Sequence, residues 1–208
     1  MFSGVAKAGL ATAAIVSALL AFQLPTQANS VAAATYAAVG ADTSVPWGWV
    51  DFCERYQGEC DGERLSALDI NLSAKAIGEI ARINKWVNAH VEPVSDADHW
   101  NMADRWDYPF DGRGDCEDYA LLKRKLLIEI GFPRQALLMT VVKDEHQEGH
   151  AILTLKTSKG EFVLDNLNDD MKPWTMTGYR FVKRQSQEDP NVWVQLGQPQ
   201  EAPSTARF

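Results

Sequence analysis

The order of periodic segments predicts an α+β domain, with one central cysteine-bearing helix packed on an antiparallel sheet. Three observations predict it. Helical runs come first and strand-like runs follow, the segregated order of α+β chains rather than the alternation of βαβ units. Short turn segments separate the strand-like runs, which suits antiparallel pairing. The second helix carries an apolar side that needs a partner to bury it.

The start of the chain stands apart. Lys7 gives a positive charge, Ala8 to Leu24 has none, and Pro25 with Thr26-Gln27-Ala28 ends the run in small residues. This reads as a secretory signal peptide over residues 1–28, with a second candidate cut in Val31-Ala32-Ala33-Ala34; the alternative is an uncleaved anchor. Residues 29–44 are alanine-rich and read as a flexible arm, residues 45–197 as the folded domain, and residues 198–208 as a frayed tail. What remains of the 208 residues after the leader is enough for one domain with a real core. The formal net charge is -8 at pH 7, which argues against nucleic acid and anionic lipid as partners. No later apolar run is long enough for a bilayer, so no stable membrane insertion is expected after cleavage.

Val45-Pro46-Trp47-Gly48-Trp49-Val50 opens the domain, and core is the commoner fate of such paired aromatics. Ser73 is an N-cap for a helix to about Val91, whose Ile77, Ile80, Ala81, Ile83, Asn84 and Val87 share a face. His90, near its end, would complement the helix dipole. Glu92 to Gly114 reads as a long loop rich in aspartate and aromatics, a candidate cleft wall. A second helix runs from Cys116 to Ile130, with Lys123, Arg124 and Lys125 expected largely toward solvent; Gly131 and Pro133 stop it. Strands are expected at 136–142, 150–156, 161–167, 179–184 and 192–195.

Chemistry concentrates at Gly114-Asp115-Cys116-Glu117-Asp118-Tyr119-Ala120. A cysteine that opens a helix sits at the positive end of the macrodipole, which favours the thiolate. Of the three cysteines, Cys53 and Cys60 are spaced for a local disulfide in an oxidising compartment. Free thiols are the alternative, and zinc is disfavoured for want of a CxxC or clustered histidine. Pairing them leaves Cys116 odd.

Side-chain parity then links His150 to Asp165. Across a hairpin with a two-residue turn, paired positions sum to an odd number, so both residues fall on one face. The roles that follow are Cys116 as nucleophile, His150 as general base and acid, Asp165 as orienter of the imidazole, and the Cys116 N–H as oxyanion donor. His99 is the rival base. Against a thiolate stand Asp115, Glu117 and Asp118, whose charges oppose its ionisation; a hard cation such as Ca²⁺ among them would reverse that field. The competing non-enzyme reading is a secreted binding module with Cys116 buried and Trp47, Trp49, Trp100 and Trp106 gripping a partner.

These blocks, with Gly149-His150-Ala151-Ile152-Leu153, Leu164-Asp165-Asn166-Leu167 and Pro46-Trp47-Gly48-Trp49, resemble the bacterial transglutaminase-like cysteine proteinases. The resemblance implies a papain/transglutaminase-like core, a Cys116-His150-Asp165 triad, and calcium-dependent proteolysis in the periplasm with Asp115 and Glu117 on the ion. For part of that family it also implies a large surface adhesin as substrate and an inner-membrane receptor as regulator. Amide cross-linking or deamidation by the same triad is the alternative within enzymes.

Overall fold

A computed structural model describes Met1 and residues 36–197. The expected leader and the tail from residue 198 lie outside the described residues. In chain order the elements are β1 Val39–Thr43, α1 Trp47–Arg55, α2 Gln57–Cys60, α3 Ala74–His90, β2 Glu92–Pro93, α4 Asp96–Trp100, β3 Arg113–Gly114 and α5 Cys116–Glu129, then β4 Leu137–Lys143, β5 Gly149–Thr157, β6 Gly160–Asp165, β7 Asn168–Pro173, β8 Arg180–Gln185 and β9 Trp193–Leu196. Seven strands form one antiparallel sheet in the order β1-β9-β8-β4-β5-β6-β7, while β2 and β3 pair in parallel beside it. This is the predicted α+β class.

The sheet buries both faces. On one face Leu153, Leu155 and Leu164 join α1, α3 and α5 in the main core. On the other Val142, Ile152 and Val163 pack with Trp174 and Phe181. The alternation of strand side chains produces this split. The β5–β6 turn has two residues, with Thr157 opposite Gly160 and Leu153 opposite Leu164, so the register is the one that places His150 and Asp165 on one face.

The helices follow their sequence signals. Ser73 Oγ accepts from Ala76 N at 3.2 Å and caps α3, worth about 1 kcal/mol. Ile80, Ile83, Asn84 and Val87 are buried, whereas Ile77, expected on that face, is exposed. Trp49 is buried between Phe52, Trp106 and Trp193, but Trp47 is 83 % exposed. Gly48 lies flat on the Trp106 indole, where a Cβ would overlap the ring. Cys53 and Cys60 form the expected disulfide, tying α1 to α2.

Three expectations are corrected. The segment read as a flexible arm supplies β1, which pairs with β9 through Val39–Leu196 and Thr43–Trp193. Backbone hydrogen bonds hold it rather than apolar burial, so composition did not announce it. Residues 168–173, which fall in none of the expected strands, form β7, whose Asn-Asp-Asp-Met-Lys-Pro sequence is that of a polar, proline-ended edge strand. Most telling, Lys123 and Arg124 are 0 % and 1 % exposed. With the sheet on one side of α5 and α3 on another, only Lys125 among the three basic residues keeps substantial exposure.

Arg124 is partly compensated: Nε donates to Leu137 O at 3.1 Å, the guanidinium lies 5.7 Å from the Trp49 ring, and Nη1, which makes no hydrogen bond, lies 3.8 Å from Glu59 Oε2. Lys123 is not. Its Nζ has no hydrogen-bond partner, and burial pushes its pKa down to about 7, partly opposed by Asp165 and Asp169. The unfolded chain therefore holds this proton up to about pH 10.5 and the folded one only to about 7, so stability rises with pH across that window. Lys123→Met should stabilise the fold at pH 7 by about 1–3 kcal/mol, with the gain shrinking at pH 9, as read by urea denaturation at both pH values.

Candidate active site

The start of α5 opens into a cleft of 530 Å³ lined by Cys116, Glu117, His150 and Ala151 on one side and Pro46, Trp47, Asp104 and Trp106 on the other. The loop between β2 and β3 thus does form a cleft wall, and it also contains the short helix α4. Gly114 is there because the turn into α5 is tight: a Cβ on it would sit 2.5 Å from Asp118 Oδ2. Asp118 is buried and accepts from Asp107 N at 2.7 Å and from Asp115 N at 3.4 Å, anchoring the loop to the helix start. Burial pushes its pKa up to about 8.

His150 lies near the beginning of β5. Its Nε2 is 2.9 Å from Asp165 Oδ1. Oδ1 also accepts from Leu167 N at 3.0 Å, and Oδ2 accepts from Tyr179 Oη at 2.5 Å. Burial opposes ionisation of Asp165, but these donors together outweigh it and hold the carboxyl below its ordinary value. An ionised carboxylate only accepts, so Nε2 carries the ring proton and Nδ1 is left as the basic nitrogen. Strand alternation assigns His150 to the face opposite α5. Its place near the strand end is what lets it share the cleft with Cys116.

Cys116 Sγ accepts from Ala151 N at 3.3 Å and donates its proton to Glu117 Oε2 at 3.0 Å rather than to His150. Burial, reinforced by the Glu117 carboxyl, pushes the thiol well above its ordinary value. The helix-start effect expected from the sequence is therefore overridden by burial first and by the acidic neighbours second.

Those neighbours form a cluster. Asp96, Asp115 and Glu117 each bring an oxygen within 4.8 Å of the others. Asp96 was not foreseen: it comes from α4, capped by Ser95, and lies 19 residues before Asp115, so no spacing signal joins them. Its carboxylate accepts from Arg105 N, and its own N–H donates to Asp115 Oδ2 at 3.1 Å. Burial pushes Asp96 up to about 6 and raises Asp115; burial and then the Asp115 charge push Glu117 up to about 9. Asp115 Oδ1 is buried with no hydrogen-bond partner. Hard oxygen donors, crowded and one of them orphaned, fit a calcium-type cation.

His99 is drawn elsewhere. Its Nε2 meets Asp111 Oδ2 at 2.8 Å and its ring packs on Trp100, with centroids 4.0 Å apart. Tyr179, at the start of β8, was also missed: a tyrosine before a strand carries no sign that its hydroxyl reaches a carboxylate two strands away in sequence.

Residues 39–201 match the family model described as bacterial transglutaminase-like cysteine proteinase. Among solved structures the chain is similar to Legionella pneumophila LapG, at 23 % identity over 56 % of this chain and 67 % of that one, with a TM-score of 0.48. It is likewise similar to the calcium-bound form, at 21 % identity over 61 % and 74 % with TM-score 0.48. For the EGTA-treated form the figures are 22 %, 57 %, 69 % and 0.48. No curated protein matches the sequence.

Carboxylates that bind a cation must first shed their protons. A cation held by Asp96, Asp115 and Glu117 would bind more tightly as pH rises from about 6 to 9, the range of Asp96 and Glu117, with a heat that depends on buffer ionisation when calcium is titrated by calorimetry. Asp96→Asn should lower the affinity by roughly tenfold or more. Binding that is independent of pH would contradict the assignment of these ligands.

Proposed function

The chain belongs to the bacterial transglutaminase-like cysteine proteinases and is a cysteine peptidase, and from that premise we propose an exported, calcium-dependent endopeptidase working through Cys116, His150 and Asp165. The observation that carries the reading is the His150–Asp165 hydrogen bond in a register that puts the imidazole into the same cleft as a helix-start cysteine.

Cys116 Sγ attacks the scissile carbonyl carbon while His150 Nδ1 takes the thiol proton. The oxyanion that forms faces the Cys116 N–H, free of the helix ladder because it is the first of α5. Collapse breaks the C–N bond, and His150 returns its proton to the leaving amine. Water, deprotonated by His150, then attacks the thioester and frees the thiol. Asp165 keeps the reactive tautomer and stabilises the imidazolium. Asp96, Asp115 and Glu117 would hold the cation, whose charge, when bound, offsets the carboxylates beside the thiol and favours its ionised form.

Export is supported by the Cys53–Cys60 disulfide, which suits an oxidising compartment such as the periplasm. Among the described residues no helix is long and apolar enough to cross a membrane. The substrate we propose is a protein, with a large surface adhesin as the class and an inner-membrane receptor as regulator on the family resemblance. The exposed Trp47 offers it an apolar wall at the rim of the cleft.

Incubating the exported chain and calcium with surface proteins of its source should generate new N-termini, read by terminal labelling and mass spectrometry. Cys116→Ala and His150→Ala should each reduce them by roughly 10³-fold or more with the fold intact. Cross-linked or deamidated products without new termini would move the reading to amide transfer. Undiminished cleavage by Cys116→Ala would exclude Cys116 as the nucleophile, and a parent chain that yields no altered product would favour a binding module.

A further inference from the structure

We propose that Tyr179 is a positioning residue that locks the Asp165 carboxylate, and through it the His150 ring; this rests on the triad reading above. Asp165 is 7 % exposed. Its Oδ1 is engaged by His150 Nε2 and Leu167 N. Among the described residues the one donor to Oδ2 is Tyr179 Oη, at 2.5 Å. Remove that donor and Oδ2 is a buried acceptor without a partner, which costs far more than the bond nominally contributes. The carboxylate then gains by turning about its Cβ–Cγ bond, and His150 loses a fixed acceptor.

The same tyrosine holds the imidazole directly. The His150 and Tyr179 rings meet edge to face, with centroids 5.5 Å apart and planes at 68°. One side chain thus limits both the rotation of the carboxylate and the tilt of the ring that depends on it.

Tyr179 is itself mounted on the second core. Its N–H donates to Thr177 Oγ1 at 3.3 Å, and that hydroxyl donates to Trp174 O at 2.9 Å. Trp174 is buried against Phe181, 5.3 Å away between centroids. Beyond Tyr179 and Asp165 lies a second cavity of 420 Å³, lined also by Asp144 and Asp170. Both residues line that cavity.

The phenol is kept as a donor. Burial, then the bonded Asp165, and the nearby Asp144 and Cys116 all raise its pKa. Lys123 of α5 also feels the Asp165 charge, but its Nζ makes no hydrogen bond, so it does not replace Tyr179.

The test uses the full exported chain with calcium, because its readouts need no substrate. In the parent, the proton on His150 Nε2 should give a resolved NMR resonance protected from exchange. In Tyr179→Phe, which keeps the ring and loses the donor, that resonance should broaden into exchange with water. Alkylation of Cys116 by iodoacetamide at pH 7 should slow roughly tenfold. Tyr179→Ala should lose the ring packed on His150 as well and slow further. A Tyr179→Phe protein with parental resonance and labelling overturns the proposal, as does a parent that shows no protected resonance. His150→Ala run in parallel separates the two readings. If it labels as fast as the parent, the triad itself has failed. If it is slow while Tyr179→Phe is not, the role of Tyr179 alone has failed.

Discussion

The burial of α5 is the constraint on which the other features depend. A helix enclosed by the sheet and α3 presents little more than its ends. The N-terminal end opens into the cleft, so the first residue of the helix is the one placed to act. Gly114 and Asp118 serve that placement, the glycine by letting the chain turn closely and the aspartate by fixing the Asp107 amide. The enclosure also has a cost, visible in Lys123, a lysine with no acceptor in the interior. A site that needs one rigid helix end accepts that cost along the rest of the helix.

The same enclosure makes the electrostatics of the cleft severe. Asp96, Asp115 and Glu117 share a partly dry corner beside the sulfur, and each resists ionisation there for lack of water and a counter-charge. The helix dipole contributes only about half a charge, too little against several carboxylates. A bound cation would favour the ionised form of these carboxylates and of the thiol together.

Much of this was legible. The Gly-Asp-Cys-Glu-Asp run showed a cysteine at a helix start among acidic residues, and the Thr-Ser-Lys-Gly turn fixed the register that pairs His150 with Asp165. What escaped depended on contacts distant in sequence or on backbone alone. Asp96 and Tyr179 reach the site from a loop and from a strand start, where neither periodicity nor spacing marks them. β1 and β7 are edges held by main-chain hydrogen bonds, so their side chains carried no strand signature. Lys123 and Arg124 looked like a solvated face because a helix's own pattern does not tell how many neighbours surround it.

The most direct test of the central claim is the alkylation rate of Cys116 against pH in the exported chain, with calcium and with a chelator. Coupling of the cation to the nucleophile predicts fast labelling at pH 6–7 with calcium, lost on chelation or in His150→Ala. Labelling that is slow in both conditions and rises only near the ordinary thiol value of about 8.5 would contradict it.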